Sequence, residues 1–178
     1  MKHAARPRME LGVRSIFNMV GPLTNPAGVK RQLVGVYKAQ VAPLLAGALQ
    51  KLDAEKACVV HSDDGLDEVT LSGGTKVHEV NGNEPLKEYR LQPKDFGFPQ
   101  HSLESFLGGN KDNNAAITME VLQGKKCPAR DVVIANAALG IYIGGKTKTI
   151  LEGKQKAEES INSGKALEKL HLLIQSTN

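Results

Sequence analysis

A chain of 178 residues with 40% hydrophobic and 24% charged side chains is one domain by length and can bury a core, with the composition of an ordinary water-soluble protein. Its net charge of +4 and pI near 9.0 would mildly favour an anionic substrate, but the basic residues are not clustered. Aromatics are only 4% with no Trp, and no run approaches the roughly 20 apolar residues that span a bilayer, so neither nucleic acid nor membrane is an expected partner.

Pro7 to Leu11 can form a short helical turn closed by Gly12, and Ser15 can cap a second helix over Ile16 to Val20, stopped by Gly21-Pro22. Thr24 to Gly28 is a loop, and Gln32 to Tyr37 a strand. Val41 to Leu52 reads as a helix presenting Leu44, Leu45, Ala48, Leu49 and Leu52 on one face. Lys56 to His61 is the next strand, so this succession predicts a parallel pair with a right-handed crossover. Glu68 to Ser72 and Thr75 to Val80 flank Gly73-Gly74 as a hairpin, and a strand over Glu88 to Leu91 completes an antiparallel meander. Pro93 to Gly109 is irregular. Helices follow over Asn113 to Gln123, Asp131 to Ile143, Thr147 to Asn162 and Lys165 to about Gln175. The predicted class is α/β, a mixed sheet with flanking helices.

Cys58 and Cys127 lie in or beside apolar runs and read as buried thiols. The basic start Met1 to Arg6 leads into Arg8, Glu10 and Arg14, too polar for a signal sequence, and the expected location is cytoplasmic. The five histidines lack paired metal-ligand spacing and read as scattered surface or strand-end residues, His61 alone being close to an acidic run. Asn136 sits in an apolar helix and would satisfy its amide on neighbouring backbone, a structural role.

That acidic run is Asp64-Gly65-Leu66-Asp67-Glu68, at the end of the strand containing Val59 and Val60. Strand ends are where α/β folds place their chemistry. Carboxylate oxygens at this density suit Mg²⁺, which takes one or two carboxylates plus substrate phosphates. On extended backbone Asp67 and Glu68 would point to opposite sides and could hold two ions. A solvated acidic turn with Gly65 in the left-handed region accounts for the same residues.

The run stands downstream of Arg8-Met9-Glu10-Leu11-Gly12-Val13-Arg14-Ser15-Ile16-Phe17-Asn18 and Gly21-Pro22-Leu23-Thr24-Asn25-Pro26-Ala27. In this order and spacing, together with Ala135-Asn136-Ala137-Ala138-Leu139, these stretches resemble anthranilate phosphoribosyltransferase over essentially the whole chain. The resemblance implies the large domain of a nucleoside phosphorylase-like fold, lacking its first strands and so presenting an open sheet edge. It also implies transfer of a phosphoribosyl group from phosphoribosyl pyrophosphate to anthranilate in tryptophan biosynthesis. Arg8 matches the position that pairs the anthranilate carboxylate, Pro22 and Asn25 belong to a loop beside the aromatic substrate, and Asp67 and Glu68 match the Mg²⁺ carboxylates. Nothing in the chain reads as a catalytic nucleophile.

Members of that family are about twice as long. The chain corresponds to their C-terminal half, without the helical N-terminal domain, the Gly-Thr-Gly-Gly-Asp diphosphate turn or the Lys-His-Gly-Asn-Arg segment. The expectation is a fragment inactive alone, which could dimerise in the family manner only with the missing region. A pyrimidine nucleoside phosphorylase-like enzyme and a non-catalytic assembly domain are the rival readings.

Overall fold

The computed structural model describes residues 19–177, so the turn expected over Pro7 to Leu11 and the first part of the helix expected over Ile16 to Val20, and Arg8 with them, lie outside the described residues. Among these residues a four-stranded mixed sheet runs in the order β1 (Arg31–Gly35), β2 (Lys56–Ser62), β3 (Thr75–Asn81), β4 (Lys87–Leu91). β1 and β2 are parallel, with Leu33 opposite Cys58. β2 and β3 are antiparallel, as are β3 and β4. β1 forms one edge, and its outer side pairs with no other described strand.

Helix α1 (Val41–Lys51) covers one face of the sheet. It buries Ala42, Leu45, Ala46 and Leu49 against Val34, Ala57, Val59 and Val80. The expected face is thus rotated: Leu44 is 71% and Leu52 52% exposed. Small alanines at i and i+4 let the helix approach the sheet more closely than leucines would, and that face wins. Leu44 instead lines a shallow apolar groove with Met19, Val20 and Leu23.

The opposite face carries the helices α2 (Lys111–Leu122), α3 (Pro128–Ile143), α4 (Ile150–Asn162) and α5 (Lys165–Thr177). α3 is the central one, burying Val132, Ala135, Ala138, Leu139 and Ile143 against Cys58, Val60 and Val77. Alternation along β2 sends Ala57 and Val59 to the α1 side and Cys58 and Val60 to the α3 side. A Cβ on Gly153 of α4 would lie 2.4 Å from the Ala138 carbonyl oxygen, so these two helices touch backbone to backbone.

Three local expectations are corrected. Met19 and Val20, the described end of the helix expected over Ile16 to Val20, are not helical, and Gly21–Leu23 is a 3₁₀ turn with Pro near its start. Glu68 to Ser72 is not a strand, and Gly73-Gly74 is not a hairpin turn. β2 itself pairs with β3, and residues 63–74 form one long connection between them. The period-2 pattern misleads because Val69 and Leu71 are fully buried loop residues: the Asn136 side chain bonds the Val69 N–H and carbonyl, and the Leu71 carbonyl accepts from the His101 N–H, in place of a ladder. Gly74 is there for close approach, since a Cβ would strike the Arg90 guanidinium as it reaches Asp63. His78 is buried on the α1 side, 3.6 Å from Glu88, not at the surface. None of the described helices is long and apolar enough to cross a membrane.

Candidate functional site

The connection from Asp63 to Gly74 leaves the carboxyl end of β2 and is tied at its base by the Asp63 N–H, which donates to the Gly74 carbonyl at 3.0 Å. Gly65 has φ +89, the left-handed conformation that its turn requires. The three carboxylates then divide into two kinds.

Asp64 is consumed by the loop. It accepts from the Leu66 N–H at 3.1 Å, from the Ser72 hydroxyl at 2.5 Å and from the Thr70 hydroxyl. Burial by itself would raise its pKa, but the Ser72, Thr70 and Leu66 donors outweigh that and hold it below the usual carboxylate range. Asp67 and Glu68 are exposed, and neither carboxylate has a hydrogen bond or ion pair among the described residues. The Glu68 carboxyl is partly desolvated nonetheless. That desolvation, and then the negative charges of Asp67 and Asp64, raise its pKa.

Two uncommitted carboxylates that repel each other are suited to a hard cation, which would relieve both the repulsion and the desolvation. No group of three or more His, Cys, Asp or Glu able to hold a metal occurs among the described residues. Asp67 and Glu68 therefore offer a partial coordination set, to be completed by water or ligand oxygens. The stretch is a bent loop, so the extended backbone that would send the two side chains to opposite sides does not apply.

The backbone of the pair is held closely. Gly35 at the end of β1 abuts it, and a Cβ there would lie 1.5 Å from the Asp67 carbonyl oxygen. The Ser62 hydroxyl donates to the Glu68 carbonyl. The Asn136 amide bonds the Val69 backbone, in keeping with its expected use on neighbouring backbone. Sequence reasoning missed Asp64, Ser62 and Gly35 as braces. A glycine ending an apolar strand was the available signal for the last. His61 is close in sequence but spent, its Nδ1 lying 2.8 Å from the Val36 carbonyl oxygen.

Pro22 and Asn25 are not gathered with the acidic pair. They line a cavity of about 170 Å³ together with Lys30 and Gln32 at the start of β1 and Leu52 and Ala54 after α1. Asp67 instead packs on Gly35 at the other end of that strand, about 13 Å away at the usual rise per residue. The Asn25 side-chain oxygen accepts from the Ala27 N–H at 3.0 Å, closing its own turn. The cysteines are free: Cys58 is buried, which pushes its pKa up to about 12, and Cys127 is only half-buried at the start of α3.

A model of the glycosyl transferase family, a/b domain, matches residues 1–167. The chain belongs to this family. Within it, the chain is 46% identical over its whole length to anthranilate phosphoribosyltransferase of Acetivibrio thermocellus, of which it covers 51%. It is 47% identical over 98% of its length to the enzyme of the same name from Rubrobacter xylanophilus, again covering 51%. The solved anthranilate phosphoribosyltransferase of Thermus thermophilus superposes with a TM-score of 0.88 at 40% identity, over 96% of this chain and 50% of that one. The Saccharomyces cerevisiae enzyme in complex with PRPP and Mg superposes with a TM-score of 0.86 at 34% identity, over 99% of this chain and 51% of that one. The chain thus spans about half the length of the relatives it matches, and the α/β fold with a mixed sheet and flanking helices expected from the sequence is the fold observed.

Proposed function

We propose that this chain supplies the metal-binding part of an anthranilate phosphoribosyltransferase, with Asp67 and Glu68 as the Mg²⁺ carboxylates. The observation that carries the reading is the division of the acidic loop: Asp64 is consumed internally, whereas Asp67 and Glu68 stand exposed and unpaired among the described residues beside a strand end. The name shared by the relatives, and the PRPP and Mg held by the Saccharomyces cerevisiae enzyme, support it.

In the proposed reaction the anthranilate amine bonds to C1 of the ribose as the bond from C1 to diphosphate breaks, through a transition state of oxocarbenium character, and the nitrogen then gives up one proton to the released diphosphate or to water. Bound Mg²⁺ supplies neutralisation of the charge that gathers on the departing diphosphate. Asp67 and Glu68 would hold that ion by their carboxylate oxygens, and their loop fixes where they stand. The neutral amine is already a nucleophile, so the chain's task is to position it. Arg8 is the residue that would pair the anthranilate carboxylate, a task to which a planar guanidinium is suited. Pro22 and Asn25, which line the cavity at the start of β1, would form the stiff wall of the loop beside the aromatic substrate.

Calorimetry with three ligand sets tests this: Mg²⁺ with phosphoribosyl pyrophosphate, anthranilate alone, and phosphate with a nucleoside. Heat from the first set, lost in Asp67→Ala with Glu68→Ala, supports the proposal. Heat only from the third marks a nucleoside phosphorylase, and heat from none marks an assembly domain.

A further inference from the structure

Asn136 lies in the middle of α3 with its side-chain amide directed at the acidic loop. Its Oδ1 accepts from the Val69 N–H at 2.9 Å, and its Nδ2 donates to the Val69 carbonyl at 2.9 Å and to the Val132 carbonyl at 3.0 Å. The first two bonds imitate a neighbouring strand, and they serve a fully buried residue whose peptide groups need partners. Both amide protons are used, so this amide has no donor left for a ligand.

The Val69 N–H and the Glu68 carbonyl belong to one planar peptide unit. Ser62 holds the oxygen end of that plane and Asn136 the nitrogen end. The preceding peptide is fixed too, because the Asp67 carbonyl rests on Gly35 with no room for a Cβ between them. With both flanking planes fixed, the backbone torsions of Glu68 are set, and only its side-chain torsions remain free. The anchor is firm, since Ala135, Ala138 and Leu139 around Asn136 are fully buried.

We infer that Asn136 is a positioning residue for the acidic pair: by clamping the Val69 peptide it fixes where the Glu68 carboxylate stands, and so sets the affinity of the site for a divalent cation. The inference rests on the reading of Asp67 and Glu68 as metal carboxylates. Asn136→Asp keeps the size and the acceptor for the Val69 N–H, but sets a charged oxygen against the Val69 and Val132 carbonyls. Asn136→Ala removes the clamp outright.

The test is Mn²⁺ titration of the 178-residue chain followed by NMR line broadening, with amide exchange at Val69 and thermal melting measured on the same samples. In the parent, Mn²⁺ broadens the amides around Asp67 and Glu68. In Asn136→Ala the Val69 amide exchanges faster, and in both variants Mn²⁺ binds about tenfold more weakly, as for other residues that orient metal ligands. Ser62→Ala frees the other end of the same peptide and carries the test if neither Asn136 variant folds, with weaker Mn²⁺ binding again expected. A purely structural Asn136 would lower the melting temperature and leave Mn²⁺ affinity at the parent value, which overturns the inference alone. Absence of Mn²⁺ from the loop in the parent overturns the underlying reading as well.

Discussion

Two acidic regions at opposite ends of the sheet treat carboxylates in contrary ways. Near the start of β2, Glu79 is buried and surrounded by donors: the Tyr89 hydroxyl at 2.7 Å, the Tyr142 hydroxyl at 2.8 Å and the Lys56 ammonium at 3.8 Å. Lys56 also stands 3.5 Å from the centre of the Tyr142 ring. Burial first, and then the neighbouring Glu79 and Cys58, push both tyrosine pKa values upward, keeping the hydroxyls protonated as donors. At the other end Asp67 and Glu68 have no such company. A carboxylate supplied with donors contributes to the fold, and a pair exposed without them is available to a cation.

The contrast orders the expected effects of substitution. Glu79→Ala strands two tyrosine hydroxyls and an ammonium in the core, and should destabilise by about 3–5 kcal/mol in urea unfolding. A loss below 1 kcal/mol would erase the distinction between the two regions. Gly35→Ala comes next at about 1–3 kcal/mol, because the new Cβ must displace the Asp67 carbonyl. Its mark is a shift of the acidic loop in the NMR spectrum larger than any shift at α1.

Asp64→Ala should cost about 1 kcal/mol through the three donors it leaves unpaired. The sign of its pH dependence follows from its lowered pKa. The contribution is present above the ordinary Asp pKa and lost as pH falls through the lower folded value. Parent and variant should therefore converge in stability in strong acid, as followed by melting between neutral and acidic pH. Asp67→Ala with Glu68→Ala should alter stability least, within about 0.5 kcal/mol, because neither side chain holds anything in the fold. A large loss in urea unfolding would mean that the pair belongs with Glu79.

Much of this was legible in the chain. The four helices after Gly109 and the strand–helix–strand unit from Arg31 to Ser62 appear within a few residues of their predicted limits, since long periodic stretches between glycines carry their own signal. The false strand over Glu68 to Ser72 shows where that signal fails. Alternating burial at Val69 and Leu71 looks like a strand, but the backbone of Val69 is bonded by Asn136, more than sixty residues away, that of Thr70 by Thr75 and that of Leu71 by His101. The burial of His78 and the turned face of α1 also depend on tertiary packing. Asp67 and Glu68 were readable as candidates from their density. Their separation from Asp64 was not, because it depends on which carboxylate the Ser72 and Thr70 hydroxyls reach.

The most direct measurement is anomalous diffraction from crystals of the chain soaked in Mn²⁺. The account predicts a peak at about 2.0–2.2 Å from carboxylate oxygens of Asp67 or Glu68, the distance of a hard cation of this size. A Mn²⁺ peak seated elsewhere with none at this pair, or none at all, would contradict it.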